Sequence, residues 1–311
     1  MRVVFMGTPD FSVGTLEEII AAGHEVIGVV TQPDKPRGRS GKMQAPPVKE
    51  VALKHNINVC QPVRVKDAEF VSELQKMQPD IIVVVAFGQI ISQEILDLPK
   101  HGCINVHASL LPKYRGAAPI QWAIIDGERE TGVTIMQMDA GLDTGDMISK
   151  TTIEITTDET GGSLFDKLSI VGAKLLVETL ETIEQGTIKR EPQPEASPTP
   201  YAKMIKKQMG KIDWNEEAVV IERLIRGLNP WPSAYTSICG KSLKLWAAIV
   251  CDEDTDNKAG VIAKVDERAI WVQTGKGLLG ITELQLEGKK RMAVADFLRG
   301  FPLAKESILG E

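Results

Sequence analysis

Asp80-Ile81-Ile82-Val83-Val84-Val85-Ala86 is a run of apolar, mostly β-branched residues with no polar alternation. A strand of this kind has no face for water, which points to a parallel sheet covered by helices on both sides. Outward from it the chain alternates. Residues 2–6, 25–31, 103–106, 134–138 and 147–153 read as further strands, while 13–22, 47–55, 68–76 and 164–185 have helical apolar spacing. Strands alternating with helices predict a doubly wound, Rossmann-like α/β domain. In such a domain, ligands bind at the carboxyl ends of the strands.

Residues 190–200 read Arg-Glu-Pro-Gln-Pro-Glu-Ala-Ser-Pro-Thr-Pro, and four prolines there exclude a helix or a central strand. The expected organisation is a catalytic domain over 1–189, a stiff proline-rich linker over 190–206, and a smaller domain over 207–311. In that last part a helix at 216–226 precedes short β-rich pieces at 242–250, 260–265, 269–274 and 280–286, which suggests a small β-barrel of the OB type. A length of 311 residues with 43% apolar content suits two packed domains.

The net charge of −6 argues against a protein that coats nucleic acid. Residues 201–311 hold 17 basic and 15 acidic residues, against 19 and 27 over 1–200, so the acidity belongs to the first part. No apolar run reaches the length of about 18 residues expected of a transmembrane helix. The opening run, Met1 to Gly7, reads as a first strand, and a cytoplasmic protein is expected. Cys60, Cys103, Cys239 and Cys251 form no Cys-x-x-Cys pair, and the four histidines include no His-Glu-x-x-His. Chemistry without a metal is expected, and nothing demands more than a monomer.

The turn Gly7-Thr8-Pro9-Asp10 lacks the second and third glycines of a dinucleotide fingerprint, and Pro9 removes a donor from it. The segment Asn105-Val106-His107-Ala108-Ser109-Leu110-Leu111-Pro112 is richer. Asn105 and His107 lie two apart on a strand and so share a face. An amide donor beside a base that titrates near neutrality suits acyl transfer to an amine. The same pair also fits a turn-capping amide and a satisfied core imidazole. Asp139-Ala140-Gly141-Leu142-Asp143-Thr144-Gly145-Asp146 supplies a carboxylate that can hydrogen-bond the His107 ring and fix its tautomer. A single Asp-Thr-Gly copy does not make an aspartic protease, and no Gly-x-Ser-x-Gly elbow or phosphate-binding P-loop is present. Between Thr31 and Lys49 runs a basic loop with Lys35, Arg37, Arg39 and Lys42, expected to be flexible and able to close over a phosphate-bearing substrate.

Residues 103–112, followed by Arg115-Gly116-Ala117-Ala118-Pro119-Ile120, resemble the signature of the folate-dependent formyltransferase family. Residues 131–136 and 141–146 are similar to its second signature. Gly7-Thr8-Pro9-Asp10-Phe11, Thr31-Gln32-Pro33-Asp34 and Asn229-Pro230-Trp231-Pro232 look like the branch that acts on methionyl-tRNA. Residue 108 is alanine where the family often has glycine. The resemblance implies 10-formyltetrahydrofolate as formyl donor and initiator methionyl-tRNA as acceptor. It implies Asn105, His107 and Asp143 as catalytic residues, and Ser109, Leu110, Leu111 and Pro112 as folate contacts. Arg37, Arg39, Lys42, Lys206 and Lys207 are the expected tRNA contacts. A formyltransferase acting on glycinamide ribonucleotide or an amino sugar nucleotide would use the same three residues, but would need neither the second domain nor the basic loop. A folate- or RNA-binding module without turnover is the reading from another class.

Overall fold

The computed structural model describes residues 1–37, 41–303 and 307–310. The chain forms two compact units. The first comprises Met1–Pro119, Glu130–Glu154 and Phe165–Ala202; the second comprises Ile120–Arg129, Ile155–Leu164 and Lys203–Glu311.

In the first unit the strands are β1 (Arg2–Gly7), β2 (Glu25–Val30), β3 (Lys35–Arg37), β4 (Lys42–Gln44), β5 (Val59–Cys60), β6 (Ile81–Val85), β7 (Cys103–His107), β8 (Glu130–Gln137) and β9 (Met147–Glu154). Its helices are α1 (Val13–Ala21), α2 (Pro47–Lys54), α3 (Ala68–Met77) and α4 (Gln93–Leu96), with α5 (Pro119–Ile125) and α6 (Gly161–Glu184) running across the division between units. Seven strands form one sheet in the order β5-β2-β1-β6-β7-β8-β9. The apolar run 81–85 is β6, every residue of it buried between β1 and β7. Each such side chain contributes roughly 1.5–3 kcal/mol by leaving water.

The sheet is parallel from β5 to β7, but β8 and β9 are antiparallel to their neighbours. The 138–146 loop between them is too short for the crossover of about a dozen residues that a parallel pair requires. The order reverses at β1, so the carboxyl ends of β1 and β6 flank the switch point where such sheets bind ligands. At that edge Thr8 Oγ1 donates to the Phe87 carbonyl and accepts the Gln32 N–H, joining the ends of three strands. Gly7 is required there: a Cβ would lie 2.7 Å from the Phe5 ring and 2.8 Å from Ser12 Cβ. The tight turn into α1 thus takes its glycine for close packing, without the other two of the fingerprint.

Within the basic segment β3 and β4 pair as an antiparallel hairpin in which Arg37 and Lys42 are backbone partners. Arg39 lies outside the described residues. Lys49 is not part of the free charge, since its Nζ lies 2.9 Å from an Asp34 carboxylate oxygen. Hydrogen bonds from Gln61, then from Lys49, hold the Asp34 carboxyl below its ordinary pKa.

In the second unit α7 (Ala218–Gly227) precedes β10 (Ala234–Ile238), β11 (Lys241–Cys251), β12 (Ile262–Val265), β13 (Ile270–Gln273), β14 (Leu278–Leu286), β15 (Met292–Ala293) and α8 (Val294–Gly300). The strands form an antiparallel sheet in the order β10-β11-β14-β13-β12, with β15 against β14. Ile221 and Ile225, one helical turn apart on α7, enter a core with Leu245, Ile270, Leu279 and Ile281. Arg291 is committed within this unit, paired with Glu283 and stacked 4.7 Å from the centre of the Trp246 ring. No helix among the described residues is long and apolar enough to cross a membrane.

Candidate active site

β7 ends in Asn105-Val106-His107, with Asn105 opposite Val84 of β6 and Met136 of β8. Asn105 is half-buried, and its carboxamide makes no hydrogen bond to a described residue, so its N–H donors are free for a ligand oxygen. His107 is buried, and its Nε2 lies 3.0 Å from the Tyr114 carbonyl oxygen. A carbonyl can only accept, so Nε2 carries a proton, and in the neutral ring Nδ1 is the nitrogen with the lone pair. Nδ1 in turn faces Asp143 Oδ1 at 3.8 Å.

That distance corrects one expectation. The carboxylate does not hydrogen-bond the ring directly, because 3.8 Å exceeds hydrogen-bonding reach. Tyr114, through its backbone, sets the tautomer instead. Asp143 is held by other means: its Oδ2 accepts the Gly116 N–H at 2.9 Å, and its own backbone is left-handed at φ 56°. The neighbouring Asp139 closes the turn by accepting from Gly141 N and Thr144 Oγ1.

The Ser-Leu-Leu-Pro turn is built largely inward. Ser109 is fully buried and its hydroxyl donates to the Lys113 carbonyl at 2.7 Å. Leu111 packs with Met136 and Met147, while Leu110 is half-buried and Pro112 accepts the Ser197 hydroxyl through its carbonyl. Asn105, His107, Asp143 and the 109–112 turn all belong to one unit, where His107 and Asp143 come together. Arg37 and Lys42 stand on the hairpin of that same unit, and Lys206 and Lys207 are exposed on the other.

Sequence reasoning missed the part played by the proline-rich segment. Residues 191–202 belong to the first unit and pack onto the site loops. Glu191 exchanges backbone hydrogen bonds with Met147, Thr199 Oγ1 accepts the Tyr114 N–H at 2.7 Å, and Ala202 pairs with Arg115 and Ala118. Arg115, also buried, donates to Gln193 Oε1 and to the carbonyls of Pro194 and Glu195. The prolines had marked the segment as extended. Its polar residues between them, Gln193, Ser197 and Thr199, carried the available signal. Among the described residues no group of three or more His, Cys, Asp or Glu is placed to hold a metal ion.

An amide donor, a buried imidazole and a nearby carboxylate, at the carboxyl edge of an open α/β sheet, form a candidate site whose groups suit acyl transfer. Comparison with known proteins agrees with that chemistry. The formyl transferase family model matches residues 1–180, and the formyl transferase C-terminal domain model matches 204–302. The chain is 61% identical to a methionyl-tRNA formyltransferase of Agathobacter rectalis over 96% of both chains. It is 55% identical to that of Lachnospira eligens over the whole of each. The crystal structure of WlaRD, a sugar 3N-formyl transferase, shares the fold with a TM-score of 0.68 and 21% identity, covering 93% of this chain and 99% of that one. The chain belongs to the formyl transferase family.

Proposed function

We propose that this chain transfers the formyl group of 10-formyltetrahydrofolate to the α-amino group of methionine esterified to initiator tRNA. The product is N-formylmethionyl-tRNA for translation initiation, a cytoplasmic role. The observation that carries the reading is 61% identity, over nearly all of both chains, to a relative named for this activity.

The amine attacks the formyl carbon on N10 and a tetrahedral oxyanion forms. The free Asn105 carboxamide donates a hydrogen bond to that oxyanion. His107 Nδ1, the ring nitrogen without a proton, accepts the proton that the attacking nitrogen sheds. The imidazolium so formed keeps Nε2–H on the Tyr114 carbonyl and faces the Asp143 carboxylate. At such a separation the attraction is about 4 kcal/mol for an effective dielectric near 20. Collapse of the intermediate breaks the C–N10 bond, N10 takes up a proton, and tetrahydrofolate leaves. With Ser109 and Leu111 turned inward, the 109–112 turn offers the folate its backbone and the Leu110 and Pro112 edges. The basic residues Arg37, Arg39 and Lys42, together with exposed Lys206 and Lys207, meet tRNA phosphates.

The test is transfer of labelled formyl from 10-formyltetrahydrofolate to charged initiator tRNA, with glycinamide ribonucleotide and an amino sugar nucleotide as competing acceptors. Label on the tRNA alone is expected. Label on either small amine, or on none of the three, would overturn the reading.

A further inference from the structure

We infer that Gln193 is a positioning residue for this reaction, anchored by Arg115 and acting on Asp143 through the backbone of the 143–145 turn. The inference rests on the catalytic reading of Asp143 and deepens it.

Gln193 uses its whole carboxamide on the site. Nε2 donates to the Asp143 carbonyl at 3.0 Å and to the Gly145 carbonyl at 2.7 Å. Oε1 accepts from Arg115 Nε at 3.0 Å. Two donors thus grip the carbonyls of Asp143 and Gly145, two residues apart, and one acceptor ties that grip to a buried cation. Asp143 sits at one end of the gripped pair, in a left-handed backbone conformation that an aspartate does not adopt for free. Releasing the carbonyls lets residue 143 relax, and its carboxylate moves away from the imidazole.

Arg115 supports the same conclusion. Its guanidinium is buried, yet it ion-pairs with no carboxylate among the described residues; its partners are Gln193 Oε1 and the carbonyls of Pro194 and Glu195. Burying a cation against dipoles alone is costly and stabilises little by itself. Here it fixes the rotamer of one amide, and the next residue, Gly116, donates its N–H to Asp143 Oδ2. The aspartate is therefore oriented from two sides by adjacent residues of one loop, once directly and once through Gln193.

The experiment is a double-mutant cycle on the full-length chain with 10-formyltetrahydrofolate and methionyl-tRNA as substrates. Gln193→Glu keeps the shape and the acceptor but loses both donors, and Arg115→Lys keeps the charge but loses the fork. Each should lower kcat on the order of 10- to 100-fold, the penalty of a misplaced catalytic group, and leave both KM values unchanged in a protein that still melts cooperatively, at a lowered temperature. In an Asp143→Asn background Gln193→Glu should cost nothing further. An equal loss in both backgrounds, a wild-type kcat for Gln193→Glu, or a change confined to KM would overturn the inference. A wild-type rate for Asp143→Asn alone would instead overturn the catalytic reading, and the inference with it.

Discussion

His107 Nδ1 lies 3.8 Å from Asp143 Oδ1, while the other oxygen of that carboxylate is occupied by the Gly116 N–H. The pair is close enough for charge to act and too far for a shared proton. A carboxylate at that distance acts on the ring by charge alone, which is the role proposed for it above.

Asp143→Asn and Asn105→Ala should each lower turnover about 100-fold or more, the usual loss when an oxyanion donor or an assisted base is removed. Neither residue is part of a buried apolar core, so both variants should melt like the parent protein. Steady-state kinetics and a thermal melt decide the matter; near-parental turnover would strike that residue from the mechanism.

Gly145→Ala should damage both stability and rate. A Cβ at 145 would lie 1.8 Å from the Gln137 carbonyl oxygen, a backbone atom that cannot swing aside. The turn must shift, at a cost of roughly 1–3 kcal/mol, and Asp143 shifts with it. A lowered melting temperature together with a reduced kcat is the expected pair of readings.

Arg39→Ala should leave the folate KM alone and weaken use of the tRNA. If Arg39 meets a single-stranded or duplex phosphate, the slope of log kcat/KM against log salt should flatten by about 0.7–0.9. Titration with sodium chloride at fixed folate measures this, and an unaltered slope would remove Arg39 from the RNA interface.

The cysteines should differ sharply in reactivity. Burial, as the main cause, pushes the Cys60 and Cys103 thiols up to about 12, so at pH 8 almost none of either is the nucleophilic thiolate. Cys239 is exposed on the second unit. Brief iodoacetamide treatment followed by peptide mass mapping should find Cys239 alkylated while Cys60 and Cys103 remain free. Alkylation of Cys103 in the folded protein at the Cys239 rate would contradict its burial.

Much of this was legible in the chain itself. The unbroken apolar run of β6 and the helical spacing of α3 and α6 announce their elements, because burial on two faces or one leaves a direct mark on composition. Asn105 and His107 were readable as a pair because strand geometry puts alternate residues on one face. The hairpin of β3 and β4 was hidden, since Lys35, Arg37 and Lys42 leave no apolar alternation. The seven-residue α5 was too short for a periodic signal. The tie between Arg115 and Gln193 was invisible for another reason: the two lie 78 residues apart, and a contact of that span leaves no local pattern in either segment.

The clasp formed by residues 191–202 also imposes an order in time. During synthesis the chain emerges from its amino end, so loops 112–116 and 143–145 are made well before Gln193 and Thr199 arrive to hold them. A nascent chain halted at residue 190 would carry every candidate catalytic group and still lack the braces that aim them. On the role inferred for Gln193, competence arrives only after the proline-rich segment has cleared the ribosome and folded back.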